Sequence, residues 1–258
     1  MSAARESTLL SRIEDAGINA SAPAQQRWLD GWLVRFSPGK AKRARCINAV
    51  AAGRLAVEQK LELCRPLYAA VQLPLLVRVT PFSEPLGLDE RLEALGMGAQ
   101  DDTRVMVRRS LDDVSAPALP RGCWIERLTH HAFAELVGRF RGSALSLRQA
   151  HAERLQLSPV PFHGFALVDG HGGALACGQV GLEAELVGLY DVFTAGAHRN
   201  AGLGRGLCAQ MLEIARSWGT KTAYLQVEAL NAPARHVYRA LGFADAYAYH
   251  YRASAAPG

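Results

Sequence analysis

The sequence predicts a mixed α/β protein built from two similar halves, each a mostly antiparallel sheet covered by helices. Three observations carry this reading. Short β-rich runs alternate with helical stretches along the chain. The order strand, helix, glycine, strand occurs twice, with Leu95-Gly96-Met97 and Leu241-Gly242-Phe243 at matching places. Between the copies, Leu111-Asp112-Asp113-Val114-Ser115-Ala116-Pro117-Ala118-Leu119-Pro120 combines two prolines with small and acidic residues, the composition of a linker. The expected division is a first half at 1–113, a linker at 114–120 and a second half at 121–258.

In the first half, residues 28–36 and 44–50 read as strands around the turn Ser37-Pro38-Gly39. Residues 54–68 read as a helix that turns Leu55, Leu63 and Leu67 inward. A strand at 75–79, a helix at 88–95 and an extended run at 104–108 complete it. The second half opens with a strand at 123–128 and helices at 130–140 and 147–157. Strands at 164–168, 174–180 and 185–193 are separated by the turns Asp169-Gly170-His171-Gly172-Gly173 and Glu183-Ala184, the pattern of an antiparallel meander. A helix at 202–218, a strand at 223–227, a helix at 232–241 and the alternating Tyr247-Ala248-Tyr249-His250-Tyr251 close the chain. Strands mixed with helices in this order imply a mixed sheet with helical layers.

Composition sets bounds on function. The chain has 258 residues, 49% hydrophobic and 21% charged, which excludes extended disorder and fibrous classes. With 29 Lys+Arg against 24 Asp+Glu, the excess is enough for anionic ligands and too small for coating nucleic acid. The densest basic run, Lys40-Ala41-Lys42-Arg43-Ala44-Arg45, lacks interleaved aromatics and reads as a solvated hairpin edge, so no nucleic-acid partner is expected. No apolar run is long enough to span a bilayer, and no membrane partner is expected. The N-terminal residues lack the apolar core of a signal peptide. Five cysteines, Cys46, Cys64, Cys123, Cys177 and Cys208, form no C-x-x-C pair. They point to reduced thiols in a cytoplasm, with neither a disulfide framework nor a metal site.

The most informative segment runs from Val192 through Arg199-Asn200-Ala201-Gly202-Leu203-Gly204-Arg205-Gly206. A β-rich run leads into Arg-x-x-Gly-x-Gly, and an amphipathic helix with Leu203, Leu207, Met211, Ile214 and Trp218 on one face starts at once. Unpaired amides and the dipole of a helix N-terminus form an anion site suited to a pyrophosphate. Gly202 and Gly204 let phosphates approach the backbone, and Arg199 and Arg205 can add charge-assisted hydrogen bonds. A P-loop would need Gly-Lys-[Ser/Thr] and a Rossmann loop G-x-G-x-x-G; neither is present here. A glycine-rich turn that merely packs helix on strand is the alternative.

The loop is followed at a characteristic spacing by Asn231-x-x-Ala234-x-x-x-Tyr238-x-x-Leu241-Gly242-Phe243. With Arg199-x-x-Gly202-x-Gly204, this resembles the GNAT superfamily of acetyl-coenzyme A-dependent N-acyltransferases. The two motifs cover about 70 residues, and the element order fits throughout the second half. The resemblance implies tandem GNAT-like halves, with a central parallel strand pair in the second that splays apart to admit the pantetheine arm. It implies that acetyl-CoA is the acyl donor, with no metal, and that the acceptor is a primary amine of a small molecule or peptide.

The resemblance also implies roles. The backbone of Val192, Phe193 and Thr194 would pair with the pantetheine; their side chains could equally be core. Arg199, Asn200, Ala201, Gly202, Leu203, Gly204 and Arg205 would hold the pyrophosphate. Asn231 would help hold the pantetheine, or else cap the following helix. Tyr238 would protonate the departing thiolate after direct amine attack, a fitting role for a phenol with pKa near 10. The resemblance secures no general base. One position used by relatives is Tyr190 here, and another, in an L-E-V setting, is Gln226, an amide. Asp191 should face the opposite side of its strand, which leaves Glu183, Glu185, Glu228 or a water chain.

The first half lacks the loop motif, and Leu92 stands where the second half has Tyr238. Its Gly-Trp-Leu-Val-Arg-Phe-Ser segment, 31–37, resembles the opening of two-domain GNAT proteins whose N-terminal copy is degenerate. It is expected to shape the acceptor pocket without catalysing, with Trp28, Trp32 and Arg35 as candidate lining residues. A non-catalytic acyl-CoA sensor on the same scaffold is the competing reading. Oligomeric state has no signature in the sequence.

Overall fold

The structure, a computed structural model, describes residues 3–36 and 41–254. The expected turn at Ser37-Pro38-Gly39, together with Lys40, lies outside the described residues.

The chain opens with a helix that has no counterpart in the sequence reading, α1 (Ala3–Ala20). Its buried stripe, Ile13, Ala16, Gly17 and Ala20, holds one large apolar residue, so its pattern is faint. The run at 28–36 is not one strand. Asp30 and Gly31 take positive φ values of 43° and 84° and fold it into a hairpin, β1 (Gln26–Leu29) and β2 (Trp32–Arg35). Asp-Gly is a favoured tight-turn pair because both positions need left-handed backbone. A 3-10 turn (Lys42–Ala44) leads to β3 (Ile47–Ala49), antiparallel to β2 as expected. In α2 (Val57–Ala70) the buried face is Val57, Lys60, Leu61, Cys64 and Tyr68; Leu55 and Leu63 are exposed, correcting the expected stripe. Lys60 is tolerated there because its ammonium meets Asp30 at 3.2 Å and lies 5.1 Å from the Trp32 ring. The half ends with β4 (Leu76–Val79), α3 (Leu88–Ala94) and a long β5 (Gly98–Arg108).

The stretch after β5 has no helix or strand until β6 (Trp124–Leu128), although Leu111 and Val114 are buried in the core beneath it. The second half follows its expected order: α4 (His130–Phe140), α5 (Leu145–Leu157), β7 (Phe162–Val168), β8 (Ala174–Glu183) and β9 (Leu186–Thr194). Then come α6 (Leu203–Ser217), β10 (Thr222–Glu228), α7 (Ala232–Ala240) and β11 (Ala244–Ala253).

All strands join one eleven-stranded sheet, ordered β1-β2-β3-β4-β11-β5-β10-β9-β8-β7-β6. The two halves exchange their last strands. β11 runs antiparallel to β4, and β5 runs antiparallel to both β10 and β11. β5 suits a central place because Val105, Met106 and Val107 are all buried, so both of its faces are covered. Met106 joins the core beneath α6, whereas Val105 and Val107 join the cluster around α1. Parallel pairs occur once in each half, β3 with β4 and β9 with β10. In the second half α6 and α7 cover one face, and α1, α4 and α5 cover the other.

Candidate active site

β9 and β10 pair in parallel only from Leu186↔Thr222 to Leu189↔Leu225. Beyond that point β9 stays bound to β8 on its other edge, through Cys177↔Phe193 and Ala176↔Thr194, while β10 stays bound to β5. The strands therefore splay, and the β9 edge that faces β10 is unpaired by any strand from Tyr190 to Thr194. This is the opening expected of the central parallel pair.

The β9 register with β8 slips between Cys177 and Gln179, leaving Asp191 and Val192 opposite Gly178. Asp191 takes φ 51° at this bulge. A Cβ at Gly178 would lie 2.9 Å from the Met211 methyl and 3.3 Å from Val192, so the strand passes close under α6 here. The bulge corrects the expected facing of Asp191. It now lies on the same face as Tyr190, toward α4 and α5, whereas Val192 turns toward α6.

The glycine loop sits where β9 ends. Arg199 Nε reaches Thr194 O at 3.4 Å, and its guanidinium lies 5.4 Å from the Phe193 ring. Asn200 (φ 62°) and Gly202 (φ 73°) are left-handed, turning the chain sharply into α6. Gly202 is the N-cap of α6 and no side chain caps the helix, so the first amides stay free to donate outward. Asn200, Ala201 and Arg205 are exposed, while Leu203 is anchored in the core. A Cβ at Gly204 would sit 2.9 Å from Thr194 Oγ1, so glycine here keeps the strand end and helix start in close approach. Free donors, two arginines and close backbone suit a pyrophosphate, and the unpaired β9 edge suits an extended amide-bearing chain.

On the same side, Asn231 caps α7, accepting from Ala234 N at 3.2 Å. Tyr238 packs edge-on to Phe243, with centroids 6.0 Å apart, against the α6 core. Burial raises its phenol above the ordinary value, so it stays protonated, and its hydroxyl has no partner among the described residues.

The opposite side, toward α1, α4 and α5, gathers residues the motifs did not flag. Tyr190 Oη and Tyr224 Oη are 2.6 Å apart, and burial pushes Tyr190 up to about 12, which leaves it neutral. Burial alone would raise the Asp191 carboxyl, but Arg141 at 2.8 Å and neighbouring His151 hold it below its usual range. Gln179 Nε2 donates to its other oxygen at 2.7 Å. Glu185 is gripped by Arg12, which holds it at about 2. Glu183 accepts from Asn19 of α1 at 3.0 and 3.1 Å. Gln226 Oε1 accepts from Arg43 and, at 2.8 Å, from Tyr249.

Arg43 alters the reading of the basic run as a solvated edge. Lys42 binds Asp101, Ala44 is buried and Arg43 turns inward, because polar acceptors on β5 and β10 lie behind this turn. Trp28 is exposed on the outer strand, and Trp32 is wholly buried in the first-half core, so neither lines this side. Arg35 is buried beside it, donating to Ser21 Oγ at 3.1 Å.

Solved structures share this architecture. A GCN5-related N-acetyltransferase from Kribbella flavida aligns over 95% of both chains, with a TM-score of 0.70 and 18% identity. A tandem GNAT protein from the clavulanic acid biosynthesis pathway aligns over 78% of this chain and 70% of its own, with a TM-score of 0.60 and 16% identity. At such identities the likeness is one of fold, and that fold is the GNAT acetyltransferase fold. The sequence model described as "Probable histone acetyltransferase Rv0428c C-terminal" matches residues 10–252, and the chain belongs to this family, as an acetyltransferase of GNAT type. Streptothricin acetyltransferase of Streptomyces lavendulae is 43% identical over 54 residues, 21% of this chain. The chain spans only 29% of the length of that curated relative.

Proposed function

We propose that the protein moves an acetyl group from acetyl-CoA to a primary amine of a small molecule or peptide by direct attack. The observation that carries this is the cleft between β9 and β10, with an uncapped glycine loop at its end and an unpartnered tyrosine hydroxyl on the same side. When bound, the donor supplies an activated thioester. The backbone of Val192, Phe193 and Thr194 holds its extended arm, and Asn231 borders that arm while capping α7. The segment Arg199, Asn200, Ala201, Gly202, Leu203, Gly204 and Arg205 binds its pyrophosphate. Tyr238 gives a proton to the departing sulfur.

The amine enters from the α1, α4 and α5 side, which the first half helps to close. Tyr190 and Gln226 cannot accept its proton at neutral pH, and Asp191 and Glu185 are committed to Arg141 and Arg12. Glu228 is exposed at the end of β10, so the amine loses its proton to water or through Glu183 or Glu228. Buried free thiols at Cys46, Cys64, Cys177 and Cys208 suit a reducing compartment such as the cytoplasm.

The lack of a carboxylate at the Tyr190 and Gln226 positions favours the second reading, an acyl-CoA sensor. Incubation with acetyl-CoA and an amine panel, read by free-thiol release and product mass, decides between them. Acetylated product supports transfer; tight cofactor binding with no release for any amine supports the sensor.

A further inference from the structure

Three guanidiniums meet around the last turns of α1 without a carboxylate to neutralise them. Arg154 of α5 donates to Ala20 O at 3.3 Å and lies 5.8 Å from the Phe162 ring, which in turn packs 5.7 Å from Tyr190. Arg35 of β2 donates to Ser21 Oγ at 3.1 Å and to Gln26 Oε1 at 3.1 Å. Arg43, on the turn after β2, donates to Gln226 Oε1 beside Tyr249. Among the described residues none of the three has a carboxylate within ion-pair distance, whereas their buried neighbours do: Arg78 pairs with Glu14 and Arg252 with Asp89.

Arg35 is buried and Arg43 and Arg154 are half-buried, and a cation withdrawn from water is costly when desolvation is not repaid by a counter-charge. The burden shows at Arg35 and Arg154, whereas at Arg43 burial is outweighed by the neighbouring Tyr249, Tyr251 and Tyr190, which raise it. Burial lowers Arg35 to about 10, and the like charges of Arg78 and Arg43 add to this. Burial likewise lowers Arg154, and Arg43 opposes its charge while Asp191 supports it. The negative end of α1 supplies only about half a charge. Asp191 is already held by Arg141, and Glu183 stands at the exposed end of β8 with Asn19 on its oxygens.

Two of these cations frame the place where an acceptor must sit. Tyr190 and Gln226 are the first residues beyond the last paired positions of β9 and β10. Arg43 touches Gln226, and Arg154 reaches Tyr190 through Phe162. Gly17 lets α1 come down on the same spot: a Cβ there would be 2.7 Å from Gln226 Nε2, an amide donor with no partner. Spare donors and spare positive charge thus converge where the strands part.

We propose that the acceptor amine carries an acidic group, a carboxylate or a phosphate, and that Arg43 and Arg154 bind it while its amine faces the cleft. This deepens the acetyl-transfer reading and rests on it. It also gives the first half a role in the site, since Arg43 comes from that half and donates to Gln226 on a strand of the second.

The test is equilibrium binding by calorimetry to the full chain saturated with coenzyme A, which needs no turnover. Matched ligands are 4-aminobutyrate against 4-aminobutanamide, and O-phosphoethanolamine against ethanolamine; the two pairs separate carboxylate from phosphate. The acid of at least one pair should bind 10-fold or more tighter than its neutral partner. Arg43→Gln and Arg154→Gln should each reduce that preference by at least 5-fold, with coenzyme A affinity unchanged, and Arg43→Lys should restore part of it. A purely structural role would lower Tm and leave the preference intact. Equal or tighter binding of the neutral partners in both pairs, undetectable binding of both acids at millimolar concentration, or a preference surviving in folded variants would overturn the proposal. Failure of the transfer reading is separate: it shows as absence of acetylated product whatever binds.

Discussion

Leu189 of β9 and Leu225 of β10 are the last residues to pair between the two parallel strands, and one step further along each stand Tyr190 and Gln226. That boundary divides the site. Toward α6 and α7 lie the glycine loop and Tyr238; toward α1 lie the tyrosine pair and the arginines. The parting strands expose the backbone that a donor needs without breaking the hydrogen bonds to β8 and β5.

Tyr238→Phe removes one oxygen from a half-buried ring that keeps its contact with Phe243. Turnover should fall roughly 100-fold, the usual scale for a lost general acid. Cofactor affinity and Tm should change little. Steady-state kinetics with calorimetric binding of coenzyme A check this, and wild-type turnover would remove the acid role.

Gly204→Leu places a branched side chain against Thr194 Oγ1, where even a Cβ would be at 2.9 Å. The chain behind it covers the free amides at the start of α6. Coenzyme A affinity should drop at least about 10-fold, equivalent to 1.4 kcal/mol. Binding unchanged from wild type would end the phosphate-loop assignment.

Met106→Ala cuts into the exchanged strand. Met106 is fully buried, faces Leu225 on one side and Asp245 on the other, and belongs to the core beneath α6. The loss should be about 2–5 kcal/mol. Because β5 comes from the first half, both halves should melt earlier together. Urea unfolding followed at Trp32 and at Trp218, in variants keeping only that one of the four tryptophans, should show coincident shifts.

Acid should weaken the fold before most carboxylates titrate. Burial pushes His151 down to about 4, despite the pull of Asp191, whereas an unfolded histidine titrates near 6.5. Between those values the unfolded chain binds the extra proton, so stability rises with pH across this window and is lost as pH falls through it. The full difference is at most about 3 kcal/mol. His151→Gln should flatten the dependence of urea midpoint on pH between about 4 and 6.5, and an unaltered slope would contradict the assignment.

Much of the second half is legible because its signals are local. The helix at 203–217 announces itself through Leu203, Leu207 and Met211, and the loop before it through glycines that few other structures need. The Asn231 cap and the break at Gly242, with φ 82°, are equally local. Elements that depend on distant partners were not legible. α1 has a stripe of small residues whose value lies in letting Gly17 approach Gln226, a contact spanning most of the chain. The bulge at Asp191 reverses an alternation that a strand pattern assumes, and it stands opposite Gly178, which lies close under Met211 of α6.

The sequence by itself determined the order of elements in the second half, the repeated strand–helix–glycine–strand unit and the glycine-loop motif, since periodicity, turn chemistry and helix termini are set within a few residues. Only the tertiary structure decided that the halves trade their last strands, because the pairing of β5 with β10 depends on which edge is left open once the chain has collapsed. It alone also decided where the charges go. A basic run that looks solvated in the sequence delivers Arg43 to the parting of β9 and β10, because folding turns it inward onto the Gln226 amide.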